Sequence, residues 1–236
     1  MNRHIQLSGN RCGWPAALLF DLDGTLIDSV PDITTAANKL LATEALAPLA
    51  LDEVREMIGN GIAKLVERAF AARDVVLDGD RQTQMTERMM AIYQDHLTDG
   101  TKLMDGAEEM LRAYDQAGVK LAVVTNKPEG FTRDILEHFG LADIIDCIVG
   151  GDSGPTRKPA PDMLFHAAEA MGIGIERSVM VGDSPADIGA AKAAGMASIA
   201  VEGGYTPIPA KELGADVVVG SLHQLPSAIE QLKEPV

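Results

Sequence analysis

Cysteine, positive charge and long apolar runs are all scarce in this 236-residue sequence. The two cysteines, Cys12 and Cys147, show neither a CxxC pattern nor metal-ligand spacing, so nothing indicates a disulfide scaffold. Lysine and arginine number 20 against 35 aspartates and glutamates, and the net charge of −15 argues against nucleic acid and anionic membranes as partners. No apolar run reaches the ~18 residues needed to span a bilayer.

The first fifteen residues are polar and lack the apolar segment of a signal peptide. We therefore expect a polar leader over residues 1–14, in a cytoplasmic protein. Cys147 lies in the apolar run Cys147-Ile148-Val149, and we expect it to be a small buried hydrophobic residue rather than a nucleophile.

Regular alternation of strands and helices dominates the chain after residue 118. This order is typical of a parallel sheet covered by helices on both faces, in which ligands bind beyond the carboxyl ends of the strands. We predict a Rossmann-like α/β core made of residues 15–29 and 100–236. The predicted strands are 16–20, 120–125, 147–149, 178–181, 197–201 and 216–219, and the predicted helices are 128–139, 161–171, 185–194 and 222–232.

Between the first strand and residue 100 the strand pattern disappears and helical patterns replace it. Pro31 and Asp32 indicate a helix start, because proline suits the first helical position and an acid suits the first turn. About seventy residues of helix far exceed an ordinary crossover between strands, so we predict that residues 30–99 form a separate α-helical cap over the crevice. Its further helical windows are 51–58, 61–73 and 81–97.

Two aspartates, Asp21 and Asp23, directly follow the apolar run 16–20. At a spacing of two residues on extended backbone, their carboxylates point to the same side. Buried acids in such a pair repel each other and are costly to desolvate unless a cation accompanies them. A hard divalent cation such as Mg²⁺, which prefers oxygen ligands, is the expected partner.

Two later segments place polar residues after a predicted strand or beside stiff backbone. Thr125 and Asn126 follow a strand and precede a proline, where a hydroxyl and backbone amides can bind phosphate or simply cap a helix. Lys158 precedes two prolines, and this stiff backbone positions its ammonium better than that of an ordinary surface lysine. A solvated surface lysine is the alternative interpretation.

Two aspartates follow the predicted strand 178–181 and differ in their structural explanation. Ser184 can cap the next helix, and Asp187 falls where the acid of a capping box belongs. Asp183 has no such explanation, since it ends an apolar strand as Asp21 does. We predict that Asp183 completes the metal site of the first two aspartates.

In this order, the four segments resemble the four motifs of the haloacid dehalogenase-like hydrolase superfamily, from about residue 18 to the end of the chain. The runs Asp-Leu-Asp-Gly-Thr at 21–25, Ile-Gly-Asn-Gly at 58–61 and Gly-Tyr-Thr-Pro at 204–207 are similar to those of bacterial phosphoglycolate phosphatases. Thr206 stands where many members have Asn. The resemblance implies a Mg²⁺-dependent phosphomonoester hydrolase that forms an aspartyl-phosphate and acts on 2-phosphoglycolate.

The resemblance also implies a role for each motif residue. Asp21 is the expected nucleophile and Asp23 the general acid and base. Dehalogenases of the superfamily lack an acid two residues after the nucleophile, so Asp23 favours phosphate-ester chemistry. The expected Mg²⁺ ligands are the carboxylates of Asp21 and Asp183 and the backbone carbonyl of Asp23. The remaining expected residues are the phosphate-binding Thr125, Asn126 and Lys158, and Asp187, which orients neighbouring groups.

Substrate choice is expected to lie in the cap. The turn Gly-Asn-Gly at 59–61 leads into a helix N-terminus, which suits a carboxylate, and the candidate contacts are Asn60, Lys64 and Arg68. Lys64 and Arg68 are also consistent with a solvated helix face. The expected partner is a small phosphorylated metabolite, and monomer and dimer both stay open. The alternatives are a phosphatase for a sugar phosphate such as N-acetylmuramate 6-phosphate, a phosphosugar mutase, and a non-catalytic phosphoacceptor module.

Overall fold

The computed structural model describes residues 13–232. Residues 1–12 of the predicted leader, Cys12 included, lie outside this range, whereas Trp14 is buried in the core. Cys147, which was expected to be buried, is only partly buried, and it packs against the core. Within residues 13–232, no helix combines the length and the apolar character needed to cross a membrane.

The strands explain where the crevice forms. Residues 13–232 contain eight strands: β1 (Ala17–Phe20), β2 (Ile27–Asp28), β3 (Lys102–Leu103), β4 (Lys120–Val124), β5 (Cys147–Val149), β6 (Ser178–Gly182), β7 (Ala197–Val201) and β8 (Val217–Val219). Six form one sheet in the order β5-β4-β1-β6-β7-β8, and all neighbours are parallel. Phe20 is in register with Val123 of β4 and Val181 of β6. The residues that follow these strands therefore meet at one edge, and the predicted parallel core is confirmed.

Helices cover both faces of this sheet. The described residues contain α1 (Val30–Thr43), α2 (Leu51–Arg55), α3 (Ile62–Ala71), α4 (Gly79–Gln94), α5 (Ala107–Gln116), α6 (Glu129–His138), α7 (Asp162–Met171), α8 (Pro185–Ala194) and α9 (Leu225–Gln231). Helices α7 and α8 pack against one face, and α5, α6 and α9 against the other. Along β1, Leu18 and Phe20 belong to the apolar cluster on the side of α5, α6 and α9. Ala17 and Leu19 belong to the cluster on the side of α7 and α8. This alternation makes both faces apolar, as a buried parallel sheet requires.

The helical cap consists of α1–α4, which lie between β2 and β3 in the chain. Helices α1, α3 and α4 pack on one another around an apolar interior that includes Phe70 and Met89. Helices α2 and α3 end three and two residues before their predicted ends at residues 58 and 73, and the chain then turns at Gly59 and Asp74, both of which have positive φ.

A two-stranded ribbon, which the sequence pattern did not predict, connects the cap to the core. Strands β2 and β3 pair antiparallel, so the exit of the chain into the cap and its return lie side by side. Asp32, in the first turn of α1, reinforces this neck. Its carboxylate accepts hydrogen bonds from the backbone N–H groups of Gly100 and Thr101, at 2.8 and 2.7 Å.

The predicted helix boundaries in the core need small corrections. Helix α8 agrees with its prediction, but α6 and α7 begin one residue late because Pro128 and Pro161 occupy the N-cap position. The predicted helix 222–232 divides into a 3₁₀ turn, Leu222–Gln224, followed by α9. Helix α5 is absent from the prediction.

Candidate active site

A crevice of about 350 Å³ lies between the carboxyl edge of the sheet and the helical cap. The core contributes Asp21, Asp23 and Asp183 to its walls, and the cap contributes Asn60 and Arg68. The structure therefore brings the three predicted metal-site aspartates and two of the three predicted cap residues to one open space.

Asp21 directly follows the central strand β1 and is almost fully buried. Its Oδ1 accepts a hydrogen bond of 2.8 Å from the ammonium of Lys158. Burial raises the pKa of Asp21 to about 6, against the opposing effect of Lys158. A further cation beside Asp21 would favour the ionised form that can act as a nucleophile.

The ammonium of Lys158 is held on three sides. Besides Asp21, it donates to Oδ1 of Asp187 at 2.7 Å and to the backbone carbonyl of Val124 at 2.5 Å. Burial alone would lower the pKa of Lys158, but Asp187 and Asp21 together outweigh it and raise this pKa above its ordinary value. Lys158 is therefore a fixed positive charge beside Asp21 and not a solvated surface lysine.

Asp187 has two structural roles at once. Its Oδ2 accepts hydrogen bonds from the backbone N–H and the hydroxyl of Ser184, at 2.9 and 2.6 Å, and these complete the predicted capping box of α8. Its Oδ1 accepts from Lys158. One carboxylate therefore fixes the start of α8 and the position of the lysine beside Asp21.

Asp183 follows β6 and is closely surrounded by backbone. Its Oδ1 accepts a hydrogen bond from the hydroxyl of Thr25 at 2.9 Å, and its Oδ2 accepts one from the backbone N–H of Tyr205 at 2.8 Å. The chain at Gly204 passes so near that a Cβ there would lie 2.1 Å from this Oδ2. Burial, together with the neighbouring carboxylates, raises the pKa of Asp183 to about 8.

The carboxylates of Asp21, Asp183 and Asp187 lie close enough together to share a cation. One oxygen of each falls within 4.8 Å of the others. Asp21 and Asp183 line the crevice, whereas Asp187 is not among its lining residues, so Asp21 and Asp183 are the better-placed ligands. Oxygen donors on buried carboxyls with raised pKa values fit a hard cation such as Mg²⁺.

Asp23 is held by two donors. The hydroxyl of Ser29 donates to its Oδ1 at 2.5 Å, and the ammonium of Lys127 donates to both carboxylate oxygens, at 2.9 and 3.1 Å. Lys127 has no role in the predictions from sequence. The signal that could have identified it is its place directly after Asn126, in a loop at the carboxyl edge of the sheet.

Thr125 and Asn126 both line a recess that adjoins the crevice, but their side chains differ. The hydroxyl of Thr125 accepts from the backbone N–H of Lys127 at 3.3 Å and retains its own hydrogen for another acceptor. The side-chain amide of Asn126 donates to the carbonyls of Gly59 and Lys158, at 2.9 and 3.0 Å. The two side-chain donors of Asn126 therefore join the cap loop to the core, and the role of Asn126 in binding phosphate stays a prediction.

Tyr205 is a second residue whose position the motifs did not reveal. Its backbone N–H donates to Asp183, and its hydroxyl accepts from the backbone N–H of Ser29 at 2.7 Å. The same hydroxyl lies 3.0 Å from Oδ1 of Asp28, in the neck. The guanidinium of Arg55, in α2, lies 5.3 Å from the centre of the Tyr205 ring. Tyr205 thus contacts the predicted metal ligand, the neck and the cap.

Asn60 and Arg68 meet in the wall of the crevice, whereas Lys64 lies elsewhere. The guanidinium of Arg68 donates to Oδ1 of Asn60 at 2.8 Å and to the carbonyl of Met57 at 2.9 Å. Lys64 is exposed, pairs with Glu67 at 2.6 Å and is absent from the residues that line the crevice. The geometry favours a solvated helix face for Lys64 and a position at the crevice for the other two.

The fold and the site together define a capped α/β protein in which the central parallel strand leads directly into a buried carboxylate beside a fixed ammonium. A family model described as haloacid dehalogenase-like hydrolase matches residues 18–201. The chain belongs to this family, and the resemblance found in its motifs is confirmed.

Similar proteins match most of the chain. The phosphoglycolate phosphatase of Rhodospirillum rubrum is 42% identical over 205 residues, which cover 85% of this chain and 85% of the relative. The crystal structure of a predicted phosphoglycolate phosphatase from Haemophilus somnus has a TM-score of 0.85 at 30% identity, with coverage of 90% and 96%. A mutant of CbbY from Rhodobacter sphaeroides, in complex with xylulose-1,5-bisphosphate, has a TM-score of 0.75 at 25% identity, with coverage of 87% and 94%. These similarities make the chain an enzyme of the phosphatase type.

Proposed function

We propose that the chain is a Mg²⁺-dependent phosphatase that hydrolyses 2-phosphoglycolate to glycolate and inorganic phosphate. The observation that carries this proposal is the convergence of Asp21, Lys158 and Asp183 at the end of the central strand, under a cap that presents Arg68. The similar phosphoglycolate phosphatase of Rhodospirillum rubrum supports the choice of substrate. In a protein with a net charge of −15, fixed cations at the site are what an anionic substrate needs.

The proposed reaction has two displacements at phosphorus. First, a carboxylate oxygen of Asp21 forms a bond to phosphorus while the bond from phosphorus to the glycolate oxygen breaks. Asp23 gives its proton to that oxygen, so the product leaves as an alcohol. Water then attacks the phosphorus of the aspartyl-phosphate and gives a proton to Asp23. The bond between phosphorus and the Asp21 oxygen breaks, so that phosphate is released and Asp21 is restored. Two displacements replace one difficult step by two easier ones.

Positive charge near Asp21 offsets the negative charge that spreads over the phosphoryl oxygens. Lys158, 2.8 Å from the nucleophile, supplies a fixed part of it, and Asp187 keeps this lysine in place. The hydroxyl of Thr125 supplies a hydrogen-bond donor. Asp21, Asp183 and the backbone carbonyl of Asp23 would hold Mg²⁺. When bound, this ion supplies the remaining neutralisation.

In this proposal residues 30–99 form the cap and recognise the part of the substrate that is not phosphate. Arg68 lines the same crevice as the nucleophile and is braced by the carbonyl of Met57 and by Asn60. A guanidinium binds a carboxylate through paired, charge-assisted hydrogen bonds. The carboxylate of 2-phosphoglycolate is a partner of this kind.

A sugar phosphate is the second candidate substrate. The crevice of about 350 Å³ has room for more than a two-carbon acid. The CbbY structure, similar in fold, contains xylulose-1,5-bisphosphate. N-acetylmuramate 6-phosphate combines a sugar phosphate with a carboxylate and would satisfy the same cap residues.

A turnover panel with and without Mg²⁺ tests the proposal. The substrates are 2-phosphoglycolate, N-acetylmuramate 6-phosphate, pentose and hexose phosphates, and nucleotides, compared by kcat/KM for phosphate release. We expect the highest value with 2-phosphoglycolate and loss of activity when EDTA removes the metal. A sugar phosphate preferred by about tenfold, or ~1.4 kcal/mol, would replace the proposed substrate. An isomerised sugar phosphate would indicate a mutase, and no turnover of any ester would indicate a phosphoacceptor module.

A further inference from the structure

Lys127 is a buried lysine for which the proposed reaction has no function. It lies in the loop between β4 and α6, and its side chain is 3% exposed. Its ammonium donates to Oδ1 and Oδ2 of Asp23, at 2.9 and 3.1 Å. Burying an ammonium is costly unless its hydrogens are paired. The partners of Lys127 therefore indicate its role. The first partner is Asp23, the proposed general acid and base.

The other side-chain partner of Lys127 belongs to the cap. Tyr93, in the last turn of α4, accepts a hydrogen bond of 2.8 Å from the same ammonium, and its ring centre lies 4.7 Å from Nζ. The Tyr93 ring packs edge-on against Phe131 of α6, with ring centres 5.6 Å apart. Because α4 belongs to the cap and α6 to the core, the ammonium sits at the junction of the two.

We propose that Lys127 is a positioning residue for Asp23 and that Tyr93 makes this positioning depend on a correctly seated cap. The inference rests on the proposed function, in which Asp23 gives a proton to the departing alcohol. Ser29 donates to Oδ1 of Asp23, which leaves the carboxylate plane free to rotate about that contact. Lys127 contacts both oxygens and therefore fixes the orientation of the carboxylate plane at the edge of the crevice.

Two other roles for Lys127 lead to different results when it is replaced. A lysine that bound the phosphoryl group would have to leave Asp23, and its loss would slow all phosphate esters alike. A lysine that served only as a structural ion pair would change stability without changing how the enzyme discriminates between leaving groups. Dependence on the leaving group is therefore the property to measure.

The test compares Lys127→Met with the wild type, with saturating Mg²⁺, by release of the leaving group in a single turnover with enzyme in excess. Methionine keeps an unbranched side chain that is one heavy atom shorter, and it has no donor. The alcohol of 2-phosphoglycolate needs a proton to leave, whereas the carboxylate of acetyl phosphate does not. General acid catalysis contributes ~10²–10⁴-fold, so we expect a loss on the order of 10²-fold with 2-phosphoglycolate and less than about threefold with acetyl phosphate.

Two further variants separate positioning from folding. Tyr93→Phe keeps the ring and removes only the hydroxyl. We expect it also to lose more rate with 2-phosphoglycolate than with acetyl phosphate, but by a smaller factor than Lys127→Met. Lys120→Met is the matched control, because Lys120 lies at the opposite end of β4, is exposed and pairs with Asp146. This control should change neither rate. Circular dichroism and thermal unfolding check that each variant is folded.

An equal loss with both substrates overturns the inference. So does a faster first turnover of 2-phosphoglycolate, which would mean that the ion pair restrains Asp23. If Lys127→Met does not fold, Tyr93→Phe decides: a selective loss supports the inference, and no selectivity overturns it.

If 2-phosphoglycolate is not a substrate, the experiment shows this separately from any result on Lys127. A wild-type enzyme that turns over acetyl phosphate but not 2-phosphoglycolate contradicts the proposed function alone. A series of phenyl phosphates of graded leaving-group basicity then replaces 2-phosphoglycolate. Positioning by Lys127 predicts that the rate of Lys127→Met relative to wild type falls steadily as the leaving group becomes more basic, and a constant ratio overturns it.

Discussion

The side-chain amide of Asn126 lies 2.9 Å from the backbone carbonyl of Gly59 and joins a strand-end loop of the core to the loop at the mouth of the cap. The same nitrogen donates to the carbonyl of Lys158 at 3.0 Å. Both amide hydrogens are therefore used, while Oδ1 of Asn126 is buried without a hydrogen-bond partner among residues 13–232. The loop that carries Asn60 is thus attached directly to a residue beside the proposed phosphate site.

Replacing Asn126 by Asp should loosen this attachment. The substitution keeps the shape of the side chain but removes the donor, so carboxylate oxygens face two carbonyl oxygens. An unpaired buried polar group costs about 1–3 kcal/mol, and we expect the free energy of unfolding to fall by about that amount. We also expect KM for 2-phosphoglycolate to rise. Urea unfolding and steady-state kinetics measure the two effects, and wild-type values for both would show that the cap loop is held in another way.

Asp21→Asn should abolish phosphate release and leave the fold intact. A neutral amide is a far weaker nucleophile than a carboxylate, and losses on the order of 10⁴-fold or more are usual when a nucleophile is removed. Lys158 retains Asp187 as a charged partner, so the variant should unfold at a temperature close to that of the wild type. A phosphate-release assay and a thermal melt decide the matter, and activity near that of the wild type would contradict the assignment.

The core site could be predicted because its signals are local. Asp21 and Asp183 each follow an apolar strand, and parallel strands bring their carboxyl ends to one edge of a sheet. The β2–β3 ribbon could not be predicted in this way. Two-residue strands are too short to show an alternating pattern, and their pairing joins segments on opposite sides of the cap.

The directions of side chains in the cap and in the strand-end loops could not be predicted from the motifs, because they depend on how the cap docks on the core. Lys64 and Arg68 are four residues apart on α3, so periodicity assigns them to the same face. Only Arg68 reaches the crevice, whereas Lys64 pairs with Glu67. Asn126 likewise points to the cap loop only because Gly59 comes within 2.9 Å of it after folding.

Arg68→Met should weaken recognition of a substrate carboxylate and spare substrates without one. Hydrogen bonds to charged groups contribute about 1.5–3 kcal/mol, so KM for 2-phosphoglycolate should rise by about ten- to a hundredfold. Turnover of acetyl phosphate, which has no free carboxylate, should change much less. Lys64→Met should change neither KM for 2-phosphoglycolate nor turnover of acetyl phosphate. Equal losses with both substrates would indicate that Arg68 only braces the loop at Met57 and Asn60.

The stability of the metal-free protein should fall as pH rises through the pKa values of its buried acids. The pKa of Asp183 is raised from 3.8 to about 8, and that of Asp21 to about 6, in each case chiefly by burial. Such a carboxyl holds its proton more tightly in the folded protein than in the unfolded chain. The stabilisation of the folded protein is complete below about pH 4, where the carboxyl is protonated in both the folded and the unfolded state. For Asp183 it is lost progressively as the pH rises from about 4 to about 8.

Asp183→Asn isolates the contribution of this one carboxyl, because the variant cannot ionise at that position. Urea unfolding after EDTA treatment should show a steeper loss of stability between about pH 5 and about pH 8 in the wild type than in the variant. Added Mg²⁺ should restore stability to the wild type at the upper end of this range, because a ligand that binds only the folded state stabilises it by an amount that grows with the logarithm of its concentration above Kd. The variant should respond less, because it has lost a ligand. Identical pH slopes in the two proteins would show that Asp183 is not held with a raised pKa, and the electrostatic reason for a cation at this edge of the sheet would then rest on Asp21 alone.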